Sequence, residues 1–186
     1  MTIAHLDRRR STPARLLGAP GPSDEQVNAI VRSALRVPDH GQLQPWRILM
    51  IRGDARLRLG EILVERALQL DPQAKPAVLD KDRHRFAHAP LVLAVIGQIR
   101  ADRIPEQEQL LSGGCVCFAL LQAADALGFG AQWLTGWAAY DTVVAQKLGL
   151  ADGERILGFI HIGTPREQVE ERPRPQLEQK LSEWLG

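Results

Sequence analysis

The run Leu91-Val-Leu-Ala-Val-Ile-Gly97 constrains the fold more than any other stretch of this chain. Seven consecutive residues without a polar side chain read as a strand covered on both faces, and they are far too few to cross a bilayer. A strand of that kind needs helices above and below it, and the flanking sequence supplies them.

Ser23-Asp24-Glu25-Gln26 has the form of a capping box, and Val27, Ile30, Val31, Ala34 and Leu35 follow at helical spacing. Pro38 is the expected stop, before the polar loop Asp39-His40-Gly41-Gln42. Trp46 to Arg52 reads as a strand, and a second helix runs to about Leu70, ahead of Asp71-Pro72. Residues 75–88 are charged and predicted helical. A long helix is expected from Pro105 to Leu127, ended by Gly128 as its C′ residue. Gly130–Leu134 and Arg155–Ile162 are predicted strands, and Asp141–Leu148 a short helix. Beyond Gly163-Thr164-Pro165, residues 166–176 hold two prolines and six charges, which cannot join the same core. The chain therefore divides into a domain over 1–165 and an arm over 166–186, the latter closing in a short amphipathic helix (Leu177, Leu181, Trp184, Leu185).

At 186 residues, 45% hydrophobic and 24% charged, the chain is long enough for one globular domain, and disorder or a disulfide scaffold is excluded. The net charge of +1 argues against a nucleic-acid partner, yet it conceals a split. Residues 1–100 carry 16 basic and 10 acidic groups; residues 101–186 carry 7 and 12. Arg8, Arg9, Arg10 and Arg15 crowd the first 15 positions against one carboxylate, Asp7. Cys115 and Cys117 are too close for an ordinary bridge and read as buried structural cysteines. Charges stand where the apolar part of a signal peptide would be, so the expected location is cytoplasmic, with no membrane partner.

Most catalytic constellations are missing from this sequence. No phosphate-binding Gly-x-x-x-x-Gly-Lys-Ser/Thr loop is present, and Gly128-Phe-Gly130 follows a helix where a dinucleotide fingerprint would open one. Cys115 and Cys117 on a helix point to different faces, a poor zinc arrangement, and His84 and His88 flank Arg85 as a solvated face. What remains suits an anion and a flat ring. Arg9-Arg10-Ser11-Thr12 offers two guanidinium forks and two hydroxyls in four residues, either a phosphate cradle or a solvated basic terminus. Asp39-His40-Gly41-Gln42-Leu43-Gln44-Pro45-Trp46 is a polar ligand loop or a turn leading Trp46 into the core. In Trp133-Leu134-Thr135-Gly136-Trp137 the glycine serves close approach to a flat ligand or a simple turn.

Arg9-Arg10-Ser11, Pro38-Asp39-His40 with Gln44-Pro45-Trp46, Ser112-Gly113-Gly114-Cys115, Leu127-Gly128-Phe129-Gly130 leading to Trp133-Leu134-Thr135-Gly136, and Ile156-Leu157-Gly158-Phe159 before Gly163-Thr164-Pro165 occur in this order. Together they resemble the FMN-dependent nitroreductase family, most closely its minimal, short members, over residues 7 to about 165. The resemblance implies an α+β three-layer sandwich: a central mixed sheet flanked by helices, in an intimate homodimer with FMN at the subunit interface. By position, it assigns Arg9, Arg10 and Ser11 to the FMN phosphate and ribityl chain, and Arg36 to a flavin contact. His40 and Gln42 would reach the flavin held mainly by the other subunit. Trp133, Leu134, Thr135 and Gly136 would line one ring face, and Arg172 and Arg174 match a basic pair that contacts the phosphate in longer members. Pro13 stands where the family usually has a basic residue, with Arg15 nearby as a substitute. The implied activity uses NAD(P)H to reduce nitroaromatics, quinones or a related small acceptor by ping-pong hydride transfer through flavin N5. The flavin then carries the chemistry, no protein side chain is catalytic and no metal is needed. The alternatives are a same-fold flavoprotein with another reaction, such as dehalogenation or flavin breakdown, and a nonenzymatic nucleotide-binding module.

Overall fold

Residues 3–186 are described by a computed structural model. In chain order the elements are α1 (Ile3–Arg8), β1 (Leu17–Gly18), α2 (Asp24–Ala34), β2 (Trp46–Arg52), α3 (Asp54–Leu70) and α4 (Pro76–Arg83). There follow β3 (Leu91–Gln98), α5 (Glu106–Ala126), β4 (Gly130–Leu134), α6 (Thr142–Lys147) and β5 (Glu154–Pro165). The local signals act where they were read. Ser23 Oγ accepts from the Gln26 backbone N–H at 3.3 Å while Gln26 Oε1 accepts from the Ser23 N–H at 2.9 Å, which starts α2. The helix ends at Ala34, before the expected stop, because Val37 precedes Pro38 and is steered out of helical backbone. At the far end of α5, Gly128 adopts φ +83°, and the Phe129 N–H reaches back to the Ala124 carbonyl at 3.0 Å.

The sheet runs β1-β5-β3-β2, with β4 also paired to β5. β3 lies between β2 and β5 and is buried along nearly its whole length. Its alternate residues divide between two cores. Leu91, Leu93 and Val95 meet Val27 and Ile30 of α2 and Val116 and Leu120 of α5. Val92, Ala94 and Ile96 face Leu59 and Leu63 of α3, Phe86 beyond α4 and Val144 of α6. Each fully buried aliphatic side chain contributes about 1.5–3 kcal/mol, so this strand anchors all three layers. The layers are those expected, but every strand pair is antiparallel where a mixed sheet was expected. A continuous apolar strand requires cover on both faces, not parallel neighbours, and helices on two sides supply that cover here.

α5 has the length and apolar composition of a membrane span, yet it is the core helix packed on β3, β4, β5 and α2. Cys117 on its inner side is buried, whereas Cys115 is exposed, correcting the expectation for that residue. After β5 the described residues are exposed, apart from half-buried Val169. The expected amphipathic helix at its end is a single 3-10 turn, Leu177–Gln179, with Leu177, Leu181, Trp184 and Leu185 all exposed. A segment this short is marginal as a helix without an apolar surface to pack against.

Candidate functional site

The arginine segment is held at the edge of β4. The Thr12 N–H donates to the Ala131 carbonyl at 3.0 Å, and the Ala14 N–H to Gln132 Oε1 at 2.6 Å. A Cβ on Gly130 would stand 2.8 Å from both Thr12 Oγ1 and Leu17 Cδ2, so this close packing requires glycine. Arg9 and Arg10 immediately precede the anchored threonine and are half-buried. Arg9 Nη1 donates to Ser11 Oγ at 3.4 Å, and Arg10 Nη1 to the Asp7 carbonyl at 2.8 Å.

The first residues of the arm return to the same place. Glu171 forms an ion pair with Arg10, accepts from Arg174 Nε at 2.8 Å and accepts from the Arg172 N–H at 3.0 Å. Burial and then the charges of Arg174, Arg172 and Arg10 lower the pKa of Arg9, against the opposing pull of Asp125. Although burial acts to raise the Glu171 pKa, its hydrogen bonds to Arg174 and Arg172 and the Arg10 charge hold it below the ordinary value. A cavity of about 1040 Å³ opens here, lined by Arg8, Arg10, Thr12, Gly130, Arg166 and Glu171 among others. The structure thus brings together Arg9, Arg10, Ser11, Arg172 and Arg174. Glu171, which binds the group, was not singled out in the sequence; only its spacing to Arg174 hinted at it.

β4 leads from this cluster to the second group over roughly 14 Å, five residues of extended chain. Trp133, 37% exposed, lies over Gly158: a Cβ there would fall 1.9 Å from the Trp133 Nε1, which donates to the Leu157 carbonyl at 3.2 Å. Leu134 and Thr135 are half-buried, and Gly136 is exposed with φ +66°. The glycine leaves room for a side chain from elsewhere, since its Cβ would stand 2.7 Å from Arg85 Nη1.

The third group is the loop between α2 and β2. Asp39 Oδ2 accepts from the Gln44 N–H at 2.8 Å, and Gly41, Gln42 and Gln44 all take positive φ, an unfavourable backbone for the two glutamines. α5 pins the loop from below. Ser112 Oγ donates to the Pro38 carbonyl at 2.8 Å and accepts from Trp46 Nε1 at 3.1 Å, while His40 Nδ1 meets Glu108 Oε2 at 2.6 Å. Gly113 of the same helix sits against Leu157, where a Cβ would overlap Cδ1 at 2.2 Å. Arg36, His40 and Gln42 are exposed, and among the described residues no hydrogen bond or ion pair joins them to the arginine cluster or to Trp133–Gly136. The described residues contain no group of His, Cys, Asp and Glu that could hold a metal, and burial pushes the Cys117 thiol up to about 12.

A family model, the Nitroreductase family, matches residues 6–164. YdjA of Escherichia coli (strain K12), provisionally named an NAD(P)H nitroreductase, is 35% identical over 162 residues, 87% of this chain and 86% of its own. A Haemophilus influenzae protein with the same provisional name is 31% identical over 172 residues, 91% of each chain. Among solved structures, a nitroreductase-like family protein from Bacillus cereus gives a TM-score of 0.84 at 20% identity, covering 100% of this chain and 97% of that one. A substituted form of NfnB from Sphigopyxis sp. strain HMH, described as an FMN and NADPH-dependent nitroreductase, gives 0.80 at 20% identity, covering 99% and 98%. A provisionally named nitroreductase from Desulfovibrio desulfuricans, in complex with FMN, gives 0.76 at 24% identity, covering 99% and 97%. At such identities the three structures speak for the fold alone.

Proposed function

The chain belongs to the nitroreductase family, and from that premise we propose that it reduces nitroaromatics, quinones or a related small acceptor in two successive half-reactions. We read it as an NAD(P)H-dependent FMN oxidoreductase, in keeping with its family and the name of its Escherichia coli relative. The observation that carries the site assignment is the carboxylate of Glu171 seated between Arg10 and Arg174, beside Arg9 and Arg172. Four guanidinium groups that mutually repel gain from a doubly charged phosphate, and a carboxylate already stands in for one. The residues present suit FMN.

When bound, FMN supplies a ring atom that accepts a hydride from the nicotinamide and passes it to the acceptor. Arg9, Arg10 and Ser11, with Arg172 and Arg174 from the arm, would hold its phosphate and ribityl chain. Trp133, Leu134, Thr135 and Gly136 would line one side of its ring. The proposed kinetics are ping-pong, with donor and acceptor binding in turn. Arg36, His40 and Gln42 would reach the ring held by a second copy, where Arg36 would bring positive charge to it.

We assign a homodimer to the protein. The outer face of α5 leaves Leu111 and Phe118 61% and 47% exposed. Large apolar side chains exposed together on one helix face gain from being covered. We assign that face to the second copy and the arm, residues 166–186, to wrapping it. The proposed location is the cytoplasm.

The test is direct. The purified protein should be yellow or take up FMN, and either NADH or NADPH should bleach it without oxygen. Initial rates at several acceptor concentrations should give parallel double-reciprocal lines. Intersecting lines overturn the two half-reactions, and a protein that takes up no FMN overturns the assignment of the site.

A further inference from the structure

The segment formed by α4 and the turn after it, residues 76–88, has no role in the scheme above. Yet it meets the 133–137 segment through a buried polar network. Asp82 is 2% exposed, and its two carboxylate oxygens accept from Trp137 Nε1 at 3.1 and 3.2 Å. Asp82 Oδ1 also accepts from Arg85, at 2.6 Å from Nη2 and 3.2 Å from Nε. The free corner of that guanidinium, Nη1, occupies the space a side chain on Gly136 would need. One residue on, Phe86 is fully buried, with its ring 4.9 Å from Phe159 edge-on and 5.6 Å from His161 in a parallel stack. This fixes the turn to β5, the strand on which β4 is paired.

Apolar packing alone would hold a helix against the sheet without burying a carboxylate, which costs several kcal/mol unless it is paired and hydrogen-bonded. Here the buried charge is satisfied by two groups that converge on one place. Trp137 follows Gly136 directly, and Arg85 covers Gly136 itself. The backbone between Leu134 and Trp137 is therefore gripped from two points, with glycine at φ +66° as the residue that makes room.

We propose that Asp82 and Arg85 are positioning residues: through Trp137 and Gly136 they fix the backbone of Thr135 and Gly136 where it meets the flavin ring. This rests on the assignment of Trp133–Gly136 to FMN made above. The role is geometric: Asp82 pairs with Arg85 at close range, and the two residues act on the segment through direct contact. Lysine at position 85 keeps the charge but loses the planar fork that bonds Asp82 and covers Gly136 together.

The test uses the full chain and the variants Arg85→Met, Arg85→Lys and Trp137→Phe, the last removing one N–H with little change of shape. Amide hydrogen exchange over residues 133–139 is followed with and without FMN, and FMN affinity is read from flavin fluorescence. Amides of β3 report whether each variant remains folded. Losing one buried hydrogen bond to a charged group should speed exchange of the segment and weaken FMN binding by about tenfold or more in each variant. Arg85→Lys should resemble Arg85→Met. If Arg85→Met exposes β3, Trp137→Phe decides alone. Unchanged exchange over 133–139 overturns the proposal, whether or not FMN binds. Faster exchange with unaltered FMN affinity also overturns it, as does Arg85→Lys behaving as the unsubstituted protein. A wild-type chain that takes up no FMN removes the functional assignment first, and the positioning role with it.

Discussion

Arg10 and Glu171 form an ion pair that closes the start of the chain onto the start of the arm. Glu171 occupies guanidinium donors that a phosphate needs, so the two residues should respond in opposite directions. Arg10→Ala removes a charge-assisted contact and should weaken FMN binding by about tenfold to a hundredfold. Glu171→Gln removes the competing charge and should tighten binding by a few-fold on the order expected for exposed pairs. Fluorescence titrations at low and high salt check both, and the difference between the variants should shrink as salt rises.

Gly158 gives Trp133 its place. The indole lies on backbone that carries no side chain, with its N–H bonded to the Leu157 carbonyl. Gly158→Ala should displace the ring, lower stability by about 1–3 kcal/mol through overpacking and shift tryptophan emission to the red. Thermal melts and emission spectra of the apoprotein measure this without FMN, and an unmoved spectrum would contradict the packing described.

The elements were legible because their signals are local. The Ser23 capping box, Gly128 after the long helix and the apolar run of β3 each act within a few residues. The antiparallel pairing was not legible, since burial on two faces leaves the same trace in either direction. Arg9 and Arg174 lie 165 positions apart, and nothing local in either segment says that they meet. Only the resemblance to a known family put them together. Asp82 shows the limit most clearly. Its spacing to Arg85 is that of a helical ion pair, but its bond to Trp137 crosses 55 residues and depends on how α4 settles on the sheet. Cys115 and Cys117 look alike in sequence, and the turn of the helix alone separates exposed from buried.

The second copy proposed for the outer face of α5 would make Phe118 and Leu111 sensitive positions. Phe118→Glu should yield a monomer by sedimentation, because a charge in an apolar interface costs several kcal/mol. FMN affinity should fall with it, since Arg36, His40 and Gln42 of the second copy are lost. Removing residues 166–186 should also weaken the dimer. A wild-type chain that sediments as a monomer, or a truncated chain with unaltered association, would reject the respective assignment.

His161 and Glu154 make the protein acid-sensitive in two separate ranges. The His161 ring is 1% exposed, and neither nitrogen has a hydrogen-bond partner among the described residues. Burial, and after it the charges of Arg85 and His88, lower its pKa from 6.5 to about 4; Phe86 stacks on one side, and Gln132 and Val92 are its cross-strand neighbours. The folded state therefore resists protonation that the unfolded chain accepts. Its contribution is complete above pH 6.5 and is lost as the pH falls toward about 4, a change of roughly 3 kcal/mol. Glu154 is lowered from 4.5 to about 2, first by its hydrogen bond from Arg47, so its contribution is complete above pH 4.5 and lost as the pH falls toward about 2. Urea midpoints measured across this range should decline in two stages. His161→Leu should flatten the upper stage alone, with little loss of stability at neutral pH because no hydrogen bond is given up. Glu154→Gln should flatten the lower stage and lower stability at neutral pH by breaking the Arg47 pair. A single stage, or an upper stage that survives His161→Leu, would show that another group governs the acid limb.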